Sequence, residues 1–234
     1  QAVVTARVTL PPGYRLSWEG EFKNLQEAIG RLSGIVPIAF ALIALHLGRV
    51  RDLGPGDGAR LIAGLEALPA QIEEILQTED HIAEVAGRIA GASSAFFIGR
   101  VRGFPVALEG AQKLKEISYV HAEAYPASEL KHGPLALITP ELPTIAVVPD
   151  DQMLEKNRSA LQQVSARGGR LVVVGHSHPG EELASDVLLV PRSEPELDPI
   201  LLNIPLQMLA YHAALALGRD VDQPRNLAKS VTVE

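Results

Sequence analysis

Residues 144–175 read TIAVVPDDQMLEKNRSALQQVSARGGRLVVVG, which predicts a strand, a helix and a second strand. The two outer runs, 144–149 and 170–175, are continuously apolar, as strands covered on both faces are. Between them, residues 154–167 have the spacing of an amphipathic helix. Because a strand that returns through a helix pairs in parallel with the first, this stretch predicts a parallel sheet.

The same alternation of apolar runs and helical patterns continues on both sides of this stretch. AFFIG 95–99 and DVLLVP 186–191 have the length and apolar character of two further strands, and helical patterns cover 106–122 and 200–217. The sequence therefore predicts an α/β domain, a doubly wound parallel sheet with flanking helices. Gly99 ends the first strand, and it indicates either a plain tight turn or a turn that approaches a ligand.

The residues before the sheet are predicted to be mainly helical. The apolar spacing of 60–76 predicts an amphipathic helix, and IAFALIALHL continues a helical pattern to about Val50. DLGPGDG, 52–58, is a turn by composition. Because 1–10 alternates like a strand and 21–32 has one apolar helical face, we expect a short β/α N-terminal segment ahead of a helical connector.

Composition narrows the possible functions. The chain has 21 Lys and Arg against 28 Asp and Glu, a net charge of −7 without a dense basic stripe, which argues against nucleic-acid binding. It has no Cys, which excludes a disulfide framework, a thiolate metal site and a cysteine nucleophile. His176 and His178 form a short HSH motif without a third ligand at zinc spacing, so we expect neither a metal nor a cofactor.

Residues 32–48 form an uncharged stretch between two arginines. Spanning a bilayer takes roughly 20 apolar residues, with a lower limit near 17. The stretch lies at that limit and contains Pro37 and His46, so a buried core helix and a short membrane contact both stay open. Residues 1–20 lack a basic start followed by an apolar run, and no signal peptide is expected there.

The densest polar cluster lies on the helix predicted for 106–122. Glu109, Lys113 and Glu116 are spaced to share one face of that helix. They form either a solvated face with a Glu–Lys pair, or a general base with a lysine beside it that holds an anion.

Two further groups could exchange protons or react with a carbonyl. His132 precedes Gly and Pro in ELKHGP, a loop position that indicates either a histidine hydrogen-bonded within its loop or one available to exchange protons, whereas His121 is predicted to be structural in mid-helix. The closing segment DQPRNLAKSVTVE, 222–234, carries Arg225 and Lys229 without a clear period. A desolvated lysine amine there could form a Schiff base with a sugar carbonyl, but spacing alone leaves this open.

Three segments, ALEGAQKLKEISYVHAEAYPASELKHGPLALI (107–138), ARGGRLVVV (166–174) and DQPRNLAKSVTVE (222–234), closely resemble the isomerase half of the glucosamine-6-phosphate synthase family, the glutamine–fructose-6-phosphate aminotransferases. The resemblance runs from about Ala41 to Glu234. It implies a cytoplasmic homodimer that binds sugar phosphates and converts fructose 6-phosphate into glucosamine 6-phosphate. It also implies a division of the chain into a connector at 41–92, a SIS (sugar isomerase) domain at 93–218 and a catalytic tail at 219–234.

The resemblance also implies roles for single residues. Glu116 corresponds to the base that moves a proton between C1 and C2 of the sugar, and Lys113 lies close to it in the substrate site. His132 corresponds to the group that opens the sugar ring in the site of the neighbouring subunit. Lys229 corresponds to the amine that forms the Schiff base, and Ala228 beside it to a substrate contact.

The chain also departs from this family. Without a Cys it lacks the nucleophile for glutamine hydrolysis, and no Ser/Thr-rich phosphate loop precedes Ala41. We therefore expect a fragment that is inactive alone, with a non-catalytic SIS module that binds a sugar phosphate or a partner protein as the alternative. Residues 10–40 instead resemble a segment of heavy-metal efflux pumps of the resistance-nodulation-division class, which suggests that 1–40 are a graft and the chain a chimera.

Overall fold

The structure, a computed structural model, describes residues 38–180 and 182–225. Five strands form one sheet in the order β2-β1-β3-β4-β5, and every neighbouring pair is parallel. The strands are β1 Ser94–Gly99, β2 His121–Pro126, β3 Thr144–Val148, β4 Leu171–Gly175 and β5 Asp186–Leu189. The predicted doubly wound parallel sheet is confirmed, including all four apolar runs proposed as strands.

Helices cover both faces of the sheet. They are α1 Ile38–Val50, α2 Pro55–Leu76, α3 Glu79–Ala90, α4 Gly103–Ser118, α5 Leu154–Ser165 and α6 Asp198–Ala216, with short 3₁₀ turns at Leu130–His132 and Pro134–Leu137. One face of the sheet packs against α2, α3, α4 and α6. The other face packs against α5 and the 3₁₀ turns.

Alternation along β1 explains why its sequence is continuously apolar. Phe97 enters the core beneath α4 and α6, whereas Phe96 and Ile98 enter the opposite core beneath α5. Successive side chains of a strand point to opposite faces, so a strand between two helical layers has no solvated side. The helices before the sheet belong to the same core, since Leu68 of α2 and Ile82 of α3 pack within it.

The helix predicted for 106–122 is too long at its C-terminal end. It ends at Ser118, Tyr119 adopts a left-handed conformation with φ of 65°, and β2 begins at His121. His121 is therefore an exposed residue at the start of a strand rather than a mid-helix residue. The sequence HAEAYP conceals β2 because this strand lies at the sheet edge and buries little of its length.

Among the residues that the structure describes, α6 is the one helix long and apolar enough to cross a membrane. Leu201, Leu202 and Leu206 of α6 are fully buried in the core beneath the sheet. Helix α1 is shorter and buries Leu45 while Phe40 is exposed. Residues 32–37 of the uncharged stretch, and the strand and helix predicted upstream, lie outside the described residues.

Candidate functional site

The C-terminal half of α4 presents the predicted carboxylate–lysine cluster. Lys113 Nζ lies 2.9 Å from Glu116 Oε2 and 3.5 Å from Glu109 Oε1. Gln112 Nε2 donates a 2.7 Å hydrogen bond to the other carboxylate oxygen of Glu116. The predicted common face is confirmed, and it places one ammonium between two carboxylates.

These contacts set the protonation of the cluster at neutral pH. Partial burial opposes ionisation of Glu116, but hydrogen bonds from Lys113 and Gln112 outweigh it and lower the pKa of this carboxyl. Burial likewise opposes the charge of Lys113, while the hydrogen bond to Glu116 and the charge of Glu109 raise the pKa of the amine. Glu116 is thus an ionised carboxylate that can accept a proton, next to a lysine that stays positive.

The turn after α4 brings this face to the amino edge of the sheet. Helix α4 runs back from the carboxyl end of β1, so its last turn lies where β1 and β2 begin. Ser118 Oγ closes the helix by donating to the carbonyl of Leu114 at 2.5 Å and accepting from the amide of Val120 at 3.2 Å. The left-handed Tyr119 then reverses the chain into β2.

The start of the C-terminal tail reaches the same edge. The hydroxyl of Tyr119 accepts a 2.8 Å hydrogen bond from the backbone N–H of Arg225. The guanidinium of Arg225 lies 4.2 Å from the centre of the Tyr119 ring, and that of Arg219 lies 5.3 Å from it. Ala228 and Lys229 themselves lie outside the described residues.

His132 lies at the opposite edge of the sheet. It ends the 3₁₀ turn that follows the carboxyl end of β2, and 71% of its side chain is exposed. Its Nδ1 is 2.7 Å from Glu129 Oε2, and this hydrogen bond lowers the pKa of the Glu129 carboxyl. Glu116 and His132 are separated by the length of the six-residue β2, about 17 Å, so one chain does not bring them together.

A second charged cluster lies at the carboxyl edge, between the ends of β1, β3 and β4. Arg102, just before α4, is 3.2 Å from Asp198 Oδ2 and 3.7 Å from Asp151 Oδ2. Asp198 opens α6 and is almost fully buried, and its other oxygen is 3.5 Å from Nε2 of the buried His176. We call Arg102, Asp151, His176 and Asp198 the carboxyl-edge network.

The hydrogen bonding of His176 fixes which ring nitrogen carries the proton. Nδ1 accepts a 3.1 Å hydrogen bond from the amide of Asp150, so the neutral ring carries its proton on Nε2, facing Asp198. Burial lowers the pKa of His176, against the charges of Asp198 and Asp150. Burial raises the pKa of Asp198, against the charges of His176 and Arg102.

In doubly wound folds this edge, at the switch point between β1 and β3, is the usual ligand site. Here the chain fills the switch point itself. A Cβ added at Gly99 would lie 2.4 Å from the carbonyl oxygen of Gly103, and one at Gly103 would lie 2.8 Å from that of Val147. Gly99 therefore serves the tight turn, the plainer of its two interpretations.

The carboxyl-edge network was not predicted from the sequence, although the sequence carries a signal for it. Arg102 follows β1 closely, Asp150 and Asp151 follow β3, and His176 follows β4. Charged residues directly after parallel strands meet at one edge, so their positions predict a cluster. Within the described ranges, no group of three or more His, Asp or Glu could hold a metal ion.

Comparison with known proteins identifies the domain. The model of the SIS domain family matches residues 88–217, more than half of the chain. The chain belongs to the SIS domain family. The match covers the whole sheet and extends from the end of α3 to the end of α6.

Two curated relatives carry the same enzyme name. The chain is similar to the isomerizing glutamine–fructose-6-phosphate aminotransferase of Pseudomonas putida, with 49% identity over 200 residues, 84% of this chain and 33% of the relative. The protein of that name from Escherichia coli K12 is 47% identical over 196 residues, 82% of this chain and 32% of the relative. The SIS domain chain thus spans about a third of the length of these relatives.

A solved structure agrees in fold. The C-terminal domain of glucosamine-fructose-6-phosphate aminotransferase from Francisella tularensis is 38% identical, with a TM-score of 0.75, and the match covers 80% of this chain and 53% of that one. The similarity to the isomerase SIS domain of these aminotransferases is therefore confirmed. The comparisons give no support to the resemblance of residues 10–40 to efflux pumps.

Proposed function

We propose that this SIS domain chain supplies part of the isomerase site of an aminotransferase that converts fructose 6-phosphate into glucosamine 6-phosphate. The observation that carries the proposal is the ionised Glu116, paired with Lys113 and three residues before Tyr119, whose hydroxyl accepts a hydrogen bond from the start of the tail. An ionised carboxylate next to a fixed positive charge suits proton transfer on an anionic sugar. The names of the relatives indicate fructose 6-phosphate as the sugar.

In the proposed reaction the Nζ amine of Lys229 adds to the C2 carbonyl of open-chain fructose 6-phosphate, and water leaves as the C=N bond forms. Ammonia then replaces the lysine amine at C2. The Glu116 carboxylate takes a proton from C1 and returns it to C2, while the hydroxyl proton on O1 passes to the imine nitrogen, so that C1 becomes the aldehyde and C2 carries the amine of the amino sugar. Lys113 and Ala228 contact the substrate.

His132 opens the sugar ring, and we propose that it acts in the site of a second copy of this chain. The separation of Glu116 from His132 by the length of β2 supports this arrangement, because a single sugar does not bridge two edges of one sheet. A two-fold dimer would set the carboxyl edge of one subunit against the amino edge of its partner. The shared site makes the homodimer part of the proposal.

The chain by itself is expected to turn over little sugar. It spans a third of its relatives, and it has neither a Cys for glutamine hydrolysis nor the phosphate loop that the family resemblance implies. In this proposal the chain is one part of a larger enzyme. It provides the connector at 41–92, the SIS domain at 93–218 and the tail at 219–234. We place that enzyme in the cytoplasm, where its sugar phosphate substrate would be found.

A segment exchange tests the proposal. Residues 38–234 replace the matching third of the Pseudomonas putida aminotransferase, and formation of glucosamine 6-phosphate from fructose 6-phosphate and glutamine is measured. We expect the hybrid enzyme to turn over within about tenfold of the parent, near ordinary enzyme rates of about 10 per second. A folded hybrid without activity would refute the proposal and favour a non-catalytic sugar-phosphate module.

A further inference from the structure

We propose that Tyr119 is a positioning residue that anchors the C-terminal tail beside Glu116. The inference rests on the proposed function, because the tail matters there as the carrier of Lys229. The geometry on which it stands involves only described residues, Tyr119, Arg219 and Arg225.

The chain between α6 and Arg225 follows a route fixed by backbone hydrogen bonds. After α6, Gly218 takes a left-handed conformation with φ of 65°, and the amide of Arg219 returns to the carbonyl of Ala214 at 2.9 Å. This is a Schellman-type helix end, which reverses the chain direction. Asp220 Oδ1 then accepts from the amides of Asp222 and Gln223 at 3.0 and 3.1 Å.

This route ends on Tyr119. The tyrosine hydroxyl accepts from the backbone of Arg225, and two guanidiniums face its ring at 4.2 and 5.3 Å. Hydrogen bonding fixes the position of the chain at Arg225, and the cation–π contacts hold its side chain. Tyr119 thus contacts the tail at two positions, Arg219 and Arg225.

The backbone conformation of Tyr119 is a second, independent observation that supports its role as an anchor. A left-handed φ at a helix end favours Gly or Asn, and a bulky side chain there is disfavoured. A residue kept in such a conformation needs a compensating interaction, and the contacts of its ring and hydroxyl with the tail supply one.

Covalent geometry then limits where Lys229 can be. It follows Arg225 by four residues, which span at most about 14 Å when fully extended. Tyr119 follows Glu116 by three residues, less than one helical turn. A tail held at Arg225 by Tyr119 therefore allows the approach of Lys229 to Glu116 that the proposed function requires.

Disulfide trapping tests the anchor without any sugar. The chain has no Cys, so a pair of engineered cysteines is unique in it. The test pair is Gln112→Cys on α4 with Ser230→Cys in the tail, and the control pair is Gln163→Cys on α5, across the sheet, with Ser230→Cys. The rate of intramolecular disulfide formation is followed by mass spectrometry in mild oxidant.

We expect the test pair to close at least about tenfold faster than the control pair. Tyr119→Ala should slow the test pair about tenfold, and Tyr119→Phe, which keeps the ring beneath both guanidiniums, should recover part of the rate. Arg225→Ala changes an exposed side chain and should slow closure about threefold, so the test stays decisive if Tyr119→Ala weakens the fold.

Equal closure rates for the test and control pairs, or for the parent and both Tyr119 variants, would overturn the proposal. Because no sugar is present, this result is independent of the chemistry assigned to Glu116 and Lys229. An inactive hybrid enzyme with intact trapping would instead refute the proposed function and leave the anchor in place.

Discussion

Glu116→Gln is expected to lower kcat of the hybrid enzyme about a thousandfold. The amide keeps the size of the side chain and can still hydrogen-bond, but it cannot accept the C1 proton. KM for fructose 6-phosphate should change less than about threefold, because the change removes a proton-transfer step rather than a binding contact. Steady-state rates of glucosamine 6-phosphate formation measure both constants.

Glu109→Gln is the matched control for this experiment. Glu109 lies on the same face of α4 and also contacts Lys113, but at 3.5 Å and with greater exposure than Glu116. Its substitution should change kcat less than about threefold, as expected for an exposed ion pair. Similar losses of kcat in both variants would mean that activity depends on the negative charge of this helix face. Glu116 would then not be the base.

Asp198→Ala is expected to lower the free energy of unfolding by about 3 kcal/mol. Asp198 is buried at the start of α6, where it pairs with Arg102 at 3.2 Å and faces His176 at 3.5 Å. Removing the carboxylate leaves a partly buried guanidinium with its more distant partner, Asp151, at 3.7 Å. The first turn of α6 also loses a negative charge that favours the helix dipole. Urea unfolding followed by circular dichroism measures the change.

The loss of unfolding free energy in Asp198→Ala should be larger at pH 5.5 than at pH 7.5. In the folded chain the pKa of His176 is lowered, so the unfolded state binds its proton first and stability falls as pH falls below 6.5. Asp198→Ala removes the negative charge that opposes this lowering, so the pKa of His176 falls further in the folded variant. The unfolded state of the variant therefore gains more from protonation of His176 at pH 5.5.

Glu84→Ala provides the control for stability. Glu84 is exposed on α3 and lies 3.9 Å from Arg88, so its substitution should change the free energy of unfolding by less than about 1 kcal/mol. A change in Asp198→Ala no larger than in Glu84→Ala, or one independent of pH, would mean that the carboxyl-edge network does not support the fold.

The sequence predicted the strands with continuous apolar runs and missed the one without such a run. Helices cover both sides of β1, β3 and β4, whereas β5 is an edge strand that is apolar in sequence although Leu189 is exposed. Strand β2 lies at an edge and contains exposed polar residues, so its pattern merged with that of α4. Nothing in the local sequence marks the left-handed Tyr119, at which the helix ends without a glycine.

The candidate site was likewise only partly predictable from the sequence. The helical spacing of Glu109, Lys113 and Glu116 was enough to predict their common face, because spacing of three and four residues is local information. Which edge of the sheet each group occupies depends on where α4 ends and β2 begins. The contact between Tyr119 and Arg225 joins residues 106 positions apart, and no local pattern predicts it.

Mixing two inactive variants of the hybrid enzyme tests the shared site most directly. Glu116→Gln and His132→Gln are purified separately, allowed to exchange subunits and assayed together. In a mixed dimer one site combines the intact Glu116 of one chain with the intact His132 of the other. We predict recovery of about a quarter of the parent activity, since about half of the dimers are mixed and each has one intact site. A mixture no more active than either variant alone would contradict the account.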